Sequence, residues 1–86
     1  MKAKLIGKYV VVDDVQLAAV RKDGYAIQFI KNPSEAVQLV AVRKDGYAIT
    51  YIDNPSEVAK ERVLSLAFDD IDLYNTISKL DWFKEL

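Results

Sequence analysis

The chain has 86 residues, of which 51% are hydrophobic and 29% are charged, and its formal net charge is −1. This length and composition predict one small globular domain over 1–86 and exclude an intrinsically disordered chain. The balanced charge gives no support to a strongly basic nucleic-acid binder or to an acidic nucleic-acid mimic.

The sequence lacks residue types on which many catalytic and metal-binding sites depend. It has no cysteine and no histidine, so disulfides, thiolate nucleophiles and the commonest general base and metal ligand are all excluded. It has no glycine-rich phosphate loop and no acid–base motif, so we predict a non-enzyme without cofactor or metal. The longest apolar run, YVVV at 9–12, is far shorter than the roughly 20 residues of a membrane span. We therefore expect a cytoplasmic protein whose first residues belong to the domain and not to a signal peptide.

The N-terminal segment 1–15 precedes a repeated part of the chain and diverges from it. KLIGKYVVV at 4–12 fits either a short helix or an extended segment, and both alternatives stay open for about the first 12 residues. Asp13 or Asp14 is predicted to cap a first long helix that runs to Asp23, because aspartate is favoured at that position.

Two near-identical segments then follow each other directly. Residues 16–37 read QLAAVRKDGYAIQFIKNPSEAV and residues 38–59 read QLVAVRKDGYAITYIDNPSEVA, and they align without a gap and with only six differences. Self-similarity at a fixed period is typical of stacked supersecondary units. The sequence therefore predicts an all-α fold, a short α-solenoid of about three stacked helix pairs with a 22-residue repeat.

The sequence NPSE predicts the start of the long helix in each unit. Asn32 is a favoured N-cap, Pro33 then occupies the first helical position, and Glu35 can bond back to the cap. In the helix that follows, Val37, Val40 and Ala41 form one apolar stripe beside a second one at Leu39 and Val42. An apolar surface this wide is typical of a helix that packs on two sides.

A glycine is predicted to end the long helix of each unit. Gly46 can adopt the left-handed conformation without steric cost, and Arg43 and Lys44 lie in the last turn, where the helix dipole favours positive charge. YAITYI at 47–52 then predicts about two turns of a shorter helix. One unit is thus a longer helix, a glycine corner and a shorter helix.

The C-terminal part, 60–86, is predicted to be a divergent helix pair. NPSEVAKERVLSLAF at 54–68 resembles the long helix with about one extra turn. Asp69 or Asp70 then caps a last helix that carries an apolar stripe of four residues, Leu73, Ile77, Leu80 and Phe83. Terminal units that diverge are expected in a stack, because each has only one neighbour.

The segment QLAAVRKDGYAIQFIKNPSEAVQLVAVRKDGYAI resembles a family of short tandem helical repeats, a domain of unknown function that occurs in bacterial, phage and giant-virus proteins. The resemblance covers 13–59 well and the C-terminal pair only loosely. It implies helical repeats and an origin in a phage or mobile element. It implies no catalytic or binding residue.

Four groups of residues are candidates for contact with a partner. The repeated basic pairs Arg21-Lys22 and Arg43-Lys44 form a ladder that could meet phosphates, although solvated helix ends are the more common role. Tyr25 and Tyr47, joined by Phe29 and Tyr51, recur after the glycine corners, where packing beneath the corner is more common than interface contact. Asp69, Asp70 and Asp72 are interpreted as helix-start residues rather than as cation ligands. Trp82 lies off the apolar stripe, and we predict that it is exposed as an interface or dimer contact.

The two units also agree at positions expected to face solvent, such as Gln16/Gln38 and Lys22/Lys44. Either the duplication is recent, which is the simpler interpretation, or both units present one surface to a partner. The leading hypothesis is a small protein-binding module, extended by the resemblance to a phage or mobile-element inhibitor or adaptor of a host or defence protein. The alternatives are nucleic-acid contact through the Arg-Lys ladder and a self-associating structural unit, such as a homodimer joined through Trp82 or an uncapped unit.

Overall fold

The computed structural model describes residues 7–86, with side chains from residue 14 onward. Every regular element in that range is helical, which confirms the all-α prediction. Five are α-helices and two are 3-10 helices: α1 Gly7–Lys22, η1 Gly24–Phe29, α2 Glu35–Lys44, η2 Gly46–Tyr51, α3 Glu57–Ala67, α4 Ile71–Ile77 and α5 Asp81–Lys84.

The first helix starts earlier than the sequence predicts. Because α1 begins at Gly7, Asp13 and Asp14 lie inside the helix, and the prediction that one of them caps it is wrong. Residues 7–12 are helical, which decides between the two alternatives for that part of the N-terminal segment. Residues 1–6 lie outside the described range.

The N-caps of α2 and α3 are serines and not the predicted asparagines. Ser34 Oγ accepts a hydrogen bond from the Val37 N–H at 3.3 Å, and Ser56 Oγ accepts one from the Ala59 N–H at 3.2 Å. Pro33 therefore precedes the cap, while Asn32 takes a left-handed conformation with φ of 53°, which asparagine tolerates better than most residues. The extended serine backbone aims its short side chain at the third helical N–H, which is the usual capping geometry.

The corner of each unit is built differently from the prediction. The long helices end at the corners as expected, but Asp45 follows α2 in an extended conformation and its carboxylate accepts from the Tyr47 N–H at 3.0 Å. Asp23 does the same for the Tyr25 N–H. No glycine in the described range has a positive φ, so the predicted left-handed Gly46 is wrong.

A neighbouring element approaches each corner glycine closely. A Cβ added at Gly24 would lie 2.7 Å from the Ala41 carbonyl oxygen, and one added at Gly46 would lie 2.8 Å from Leu73 Cδ2. Both distances are too short for real side-chain contacts. The hydrogen atom of glycine therefore makes room for the next helix.

The prediction of a longer helix, a corner and a shorter helix is confirmed, and the shorter element is a 3-10 helix. η1 and η2 have the same length, and they start at Gly24 and Gly46, which occupy equivalent positions in the two units. The C-terminal helix pair differs more from the prediction. α3 is longer than α2 by one residue and not by a turn, and the expected last helix is divided after Ile77 into α4 and α5.

The core lies between successive helix pairs. α1 packs on α2 and α2 on α3, while η1 packs against α1, α2 and η2. Hydrophobic residues from all these elements are buried: Val20, Ile27, Val37, Ala41, Val42, Ala48, Ile49, Ile52, Ala59, Val63, Ala67, Leu73 and Ile77. Nearest-neighbour packing makes the molecule elongated, with extents of 46 × 23 × 19 Å.

Among the helices that the structure describes, none combines the length and the apolar character that a membrane crossing requires.

Candidate binding groove

A surface groove runs between the ends of the two 3-10 helices and the turns that follow them. It has a volume of about 880 Å³. Two matching segments form its walls, and Gln38 contributes to its floor: Gln28, Phe29, Ile30, Lys31, Asn32 and Pro33 on one side, and Thr50, Tyr51, Ile52, Asp53 and Asn54 on the other. The repeat thus presents the same short segment twice, on opposite sides of one depression.

An aromatic residue stands at the end of each 3-10 helix in this groove. Phe29 is 83% exposed and Tyr51, its counterpart in the second unit, is 46% exposed. Tyr51 is more covered because the Tyr25 ring packs edge-on against it, with ring centroids 5.5 Å apart. Large exposed aromatic side chains lose little conformational entropy on binding and are frequent anchors of protein interfaces.

The differences between the two units concentrate in this groove. Three of the six differing pairs line it, namely Gln28/Thr50, Phe29/Tyr51 and Lys31/Asp53. Exposure alone does not account for this, because Arg21/Arg43, Lys22/Lys44 and Glu35/Glu57 are also exposed in both units and are identical. The groove therefore combines a constant framework with side chains that differ between its two walls.

Gln38 has a structural role that the sequence did not reveal. It was expected to face solvent, but its side chain is only 8% exposed. Its Nε2 donates to the Pro33 carbonyl at 3.1 Å, and its Oε1 accepts from the Ser56 N–H at 2.7 Å. One amide thus joins the turn before α2 to the turn before α3, so packing does demand this residue.

Tyr25 and Tyr47 are half-buried and pack against the core beneath the corners. Partial burial and then the nearby Asp45 carboxylate raise the pKa of Tyr25 above its usual value. Burial also raises the pKa of Tyr47, with Asp70 and Asp72 adding to the effect. These two candidate residues therefore pack against the fold, which is their more common role, and nearby Phe29 and Tyr51 are exposed.

The basic ladder lies outside the groove. Arg21 and Lys22 end α1, Arg43 and Lys44 end α2, and all four side chains are exposed. Because α1 and α2 pack together, the two pairs occupy neighbouring helix ends. Positive charge at these positions is also favoured by the helix dipole, so exposure alone does not assign them a partner.

The acidic cluster and Trp82 lie in the C-terminal part of the chain, and Asp70 and Asp72 are close to Tyr47 at the second corner. Asp70 caps α4, with its carboxylate accepting from the Leu73 N–H at 3.1 Å, as the capping interpretation predicted. Trp82 is half-buried, not exposed as expected. Its ring lies against Phe83 and beneath Lys60 Nζ, which is 5.8 Å from the ring centroid. The break between α4 and α5 allows this contact, because α5 folds back toward α3.

No family model, no curated protein and no solved structure matches this chain. The resemblance to the tandem helical repeats therefore stays a prediction, and the functional argument rests on the geometry of the groove.

Proposed function

We propose that this protein is a non-catalytic protein-binding module and that the groove between η1 and η2 holds an extended segment of its partner. The observation that carries the proposal concerns the lining of the groove. It contains two exposed aromatic residues and three of the six pairs of positions at which the units differ. Arrays of repeated units commonly recognise partners through such an exposed face, supported by a constant framework. A short α-solenoid with a 22-residue repeat is the architecture that we propose for this framework.

The charges of the groove suggest what the bound segment looks like. Lys31 on one wall corresponds to Asp53 on the other. Packed helices lie about 8–10 Å apart, a distance that an extended chain covers in about three residues. The expected ligand is therefore an extended peptide with one acidic and one basic residue about three positions apart, and with apolar side chains to contact Phe29 and Tyr51.

Selection from a library of displayed random peptides tests this proposal directly. The wild-type protein should enrich one order of acidic and basic residues, and the exchange variant Lys31→Asp/Asp53→Lys should enrich the opposite order. With a selected peptide, Phe29→Ala or Tyr51→Ala should weaken binding at least about tenfold, the loss expected of an interface anchor. The matched control is Phe68→Ala, which removes an equally exposed phenylalanine outside the groove.

Two results would contradict the proposal. One is the absence of any enriched peptide. The other is an equal loss of binding in Phe29→Ala and Phe68→Ala, since that would indicate adhesion to any exposed aromatic side chain. The identity of the natural partner is a separate question, for which the inhibitor or adaptor role in a phage or mobile element is the extension suggested by the resemblance.

Nucleic-acid contact is the second candidate, favoured by the exposure of all four basic side chains on neighbouring helix ends. Asp23 and Asp45 directly follow these pairs and offset part of their charge. The same protein stock can be titrated with a labelled oligonucleotide. Binding that falls steeply with salt, and that is lost when Arg21, Lys22, Arg43 and Lys44 are all changed to Glu, would favour this candidate over the groove.

A further inference from the structure

Equivalent positions in the successive units differ sharply in burial at the N-terminal end. Val15 is 61% exposed, whereas Val37 and Ala59, which lie one and two 22-residue periods later, are both fully buried. Val37 belongs to α2, which packs against α1, and Ala59 belongs to α3, which packs against α2. Val15 therefore lies on a helix face that is built for packing and has no neighbour in the described part of the chain.

This face carries positive charge at one end. Val15, Ala18 and Lys22 are spaced so that they lie on one side of α1, and Arg21 adjoins them. All four side chains are exposed, and they are called the head surface below. Asp14 and Asp23, which are also exposed, flank these residues and offset part of the positive charge, which is concentrated at Arg21 and Lys22.

A second apolar surface lies at the opposite end of the molecule. Phe68 is 88% exposed, Ile71 69% and Tyr74 45%, and these three residues border a shallow depression where α3 gives way to α4. Asp69 and Asp72 are exposed beside them. These five residues are called the tail surface below.

The charges of the two surfaces decide which pairing is favourable. Two tail surfaces in contact would bring acidic groups together, whereas a head surface offers Arg21 and Lys22 to Asp69 and Asp72. Like charges brought together across an interface disfavour the pairing, whereas opposite charges favour it. A head surface against a tail surface combines apolar patches with complementary charge.

We propose that the tail surface of one copy of this chain packs against the head surface of a second copy. Such a contact is heterologous, so each added copy again offers a free head and a free tail, and the association is open-ended. The apolar patches are small, so we expect a weak interaction with a dissociation constant of roughly 10⁻⁵–10⁻³ M. This inference does not rest on the peptide groove, which lies on a different part of the surface.

Sedimentation velocity over a wide concentration range measures the association. The weight-average mass should rise continuously above the 9.7 kDa of the single chain, without a plateau at the dimer. Raising the salt concentration from ~0.1 M to ~1 M shortens the Debye length from ~10 Å to ~3 Å and should weaken the association. A constant monomer mass at all concentrations would overturn the proposal.

Two blocked variants distinguish head-to-tail contact from symmetric pairing. Val15→Glu blocks the head and Ile71→Glu blocks the tail, and both replaced side chains are exposed, so folding should be retained, as circular dichroism can verify. Each variant alone should be monomeric, whereas their mixture should form a dimer and nothing larger, because one free head and one free tail remain. Association of the Val15→Glu variant alone would show that the contact is between two tails and would refute the head-to-tail arrangement.

Charge exchange provides an independent check. Arg21→Glu/Lys22→Glu should weaken the association at least about tenfold. Mixing it with Asp69→Lys/Asp72→Lys should restore association if the two surfaces meet. Phe29→Ala serves as the control, because it should weaken peptide binding in the groove and leave the sedimentation behaviour unchanged. Failure of one proposal is then distinguishable from failure of the other.

Discussion

At the scale of single residues, the buried amide of Gln38 links two turns, a role that the apolar pattern of the sequence does not predict. Gln38 bonds both to the turn that precedes its own helix and to the turn that precedes the next one. Buried polar groups are retained in a fold when their hydrogen bonds are satisfied, and removing one partner leaves the other group desolvated. The Ser56 N–H depends on Gln38 in this way.

We predict that Gln38→Met destabilises the protein by about 1–3 kcal/mol, the usual cost of leaving buried polar groups without partners. Methionine keeps much of the side-chain volume, so the loss reports the hydrogen bonds rather than a cavity. Urea denaturation measures the free energy of unfolding. Gln28→Met is the matched control, since that amide is exposed, and its substitution should change stability by less than about 0.5 kcal/mol. Equal effects in the two variants would show that Gln38 is not a structural link.

At the scale of elements, the two glycine corners look identical in sequence but face different neighbours. Gly24 is close to the Ala41 carbonyl, which is part of the backbone of α2, whereas Gly46 is close to the end of the Leu73 side chain. A backbone atom in a packed helix can give way only if the helix shifts. A leucine methyl group can move by rotation of its side chain.

Gly24→Ala should therefore cost more stability than Gly46→Ala. We expect about 1–3 kcal/mol for Gly24→Ala, as for other overpacked sites. For Gly46→Ala we expect a value near zero, because the lower entropy of the unfolded alanine chain offsets a small rearrangement of Leu73. Thermal or urea unfolding of the two variants side by side gives the comparison. If instead both glycines were needed for their backbone conformation, the two substitutions would be equally costly.

The elements also show which features of the structure can be predicted from the sequence and which cannot. Helix content, the position of the corners and the buried faces of Val37, Ala41 and Val42 followed from periodicity and from the glycines. The capping residue did not, because asparagine, serine and aspartate are all good caps and only the backbone path shows which one reaches the third N–H. The groove was not predicted, since it exists only where two units meet and no single segment contains it. The early start of α1 at Gly7 carries no strong local signal.

At the scale of the whole molecule, stability should vary from one helix to the next. α2 packs against α1 and α3 and also against both 3-10 helices, whereas α1 and α4 have fewer neighbouring elements. Local opening of a helix requires its contacts to be broken, so elements with neighbours on both sides open least often. The elongated shape makes this difference between the centre and the ends larger than in a spherical domain of the same size.

Hydrogen exchange should therefore be slowest for the amides of α2 and faster for those of α1 and α4. The measurement is mass spectrometry of the exchanging protein at low concentration, where the proposed association is negligible. At high concentration the protection of α1 should increase, because a second copy would cover the head surface. The same protection in all helices at low concentration would instead indicate that the chain opens only by complete unfolding.

The residues that line the groove are separate from the residues that hold the fold together. This separation affects which substitutions the protein tolerates. Gln28, Phe29 and Lys31, with Thr50, Tyr51 and Asp53, line the groove and none of them is in the buried core. Substitutions there leave the corner glycines, the serine caps and the Gln38 link intact. Under the proposed function, new binding preferences can therefore be acquired in small steps without passing through unfolded intermediates. The same six positions are the natural set to randomise in an engineered library.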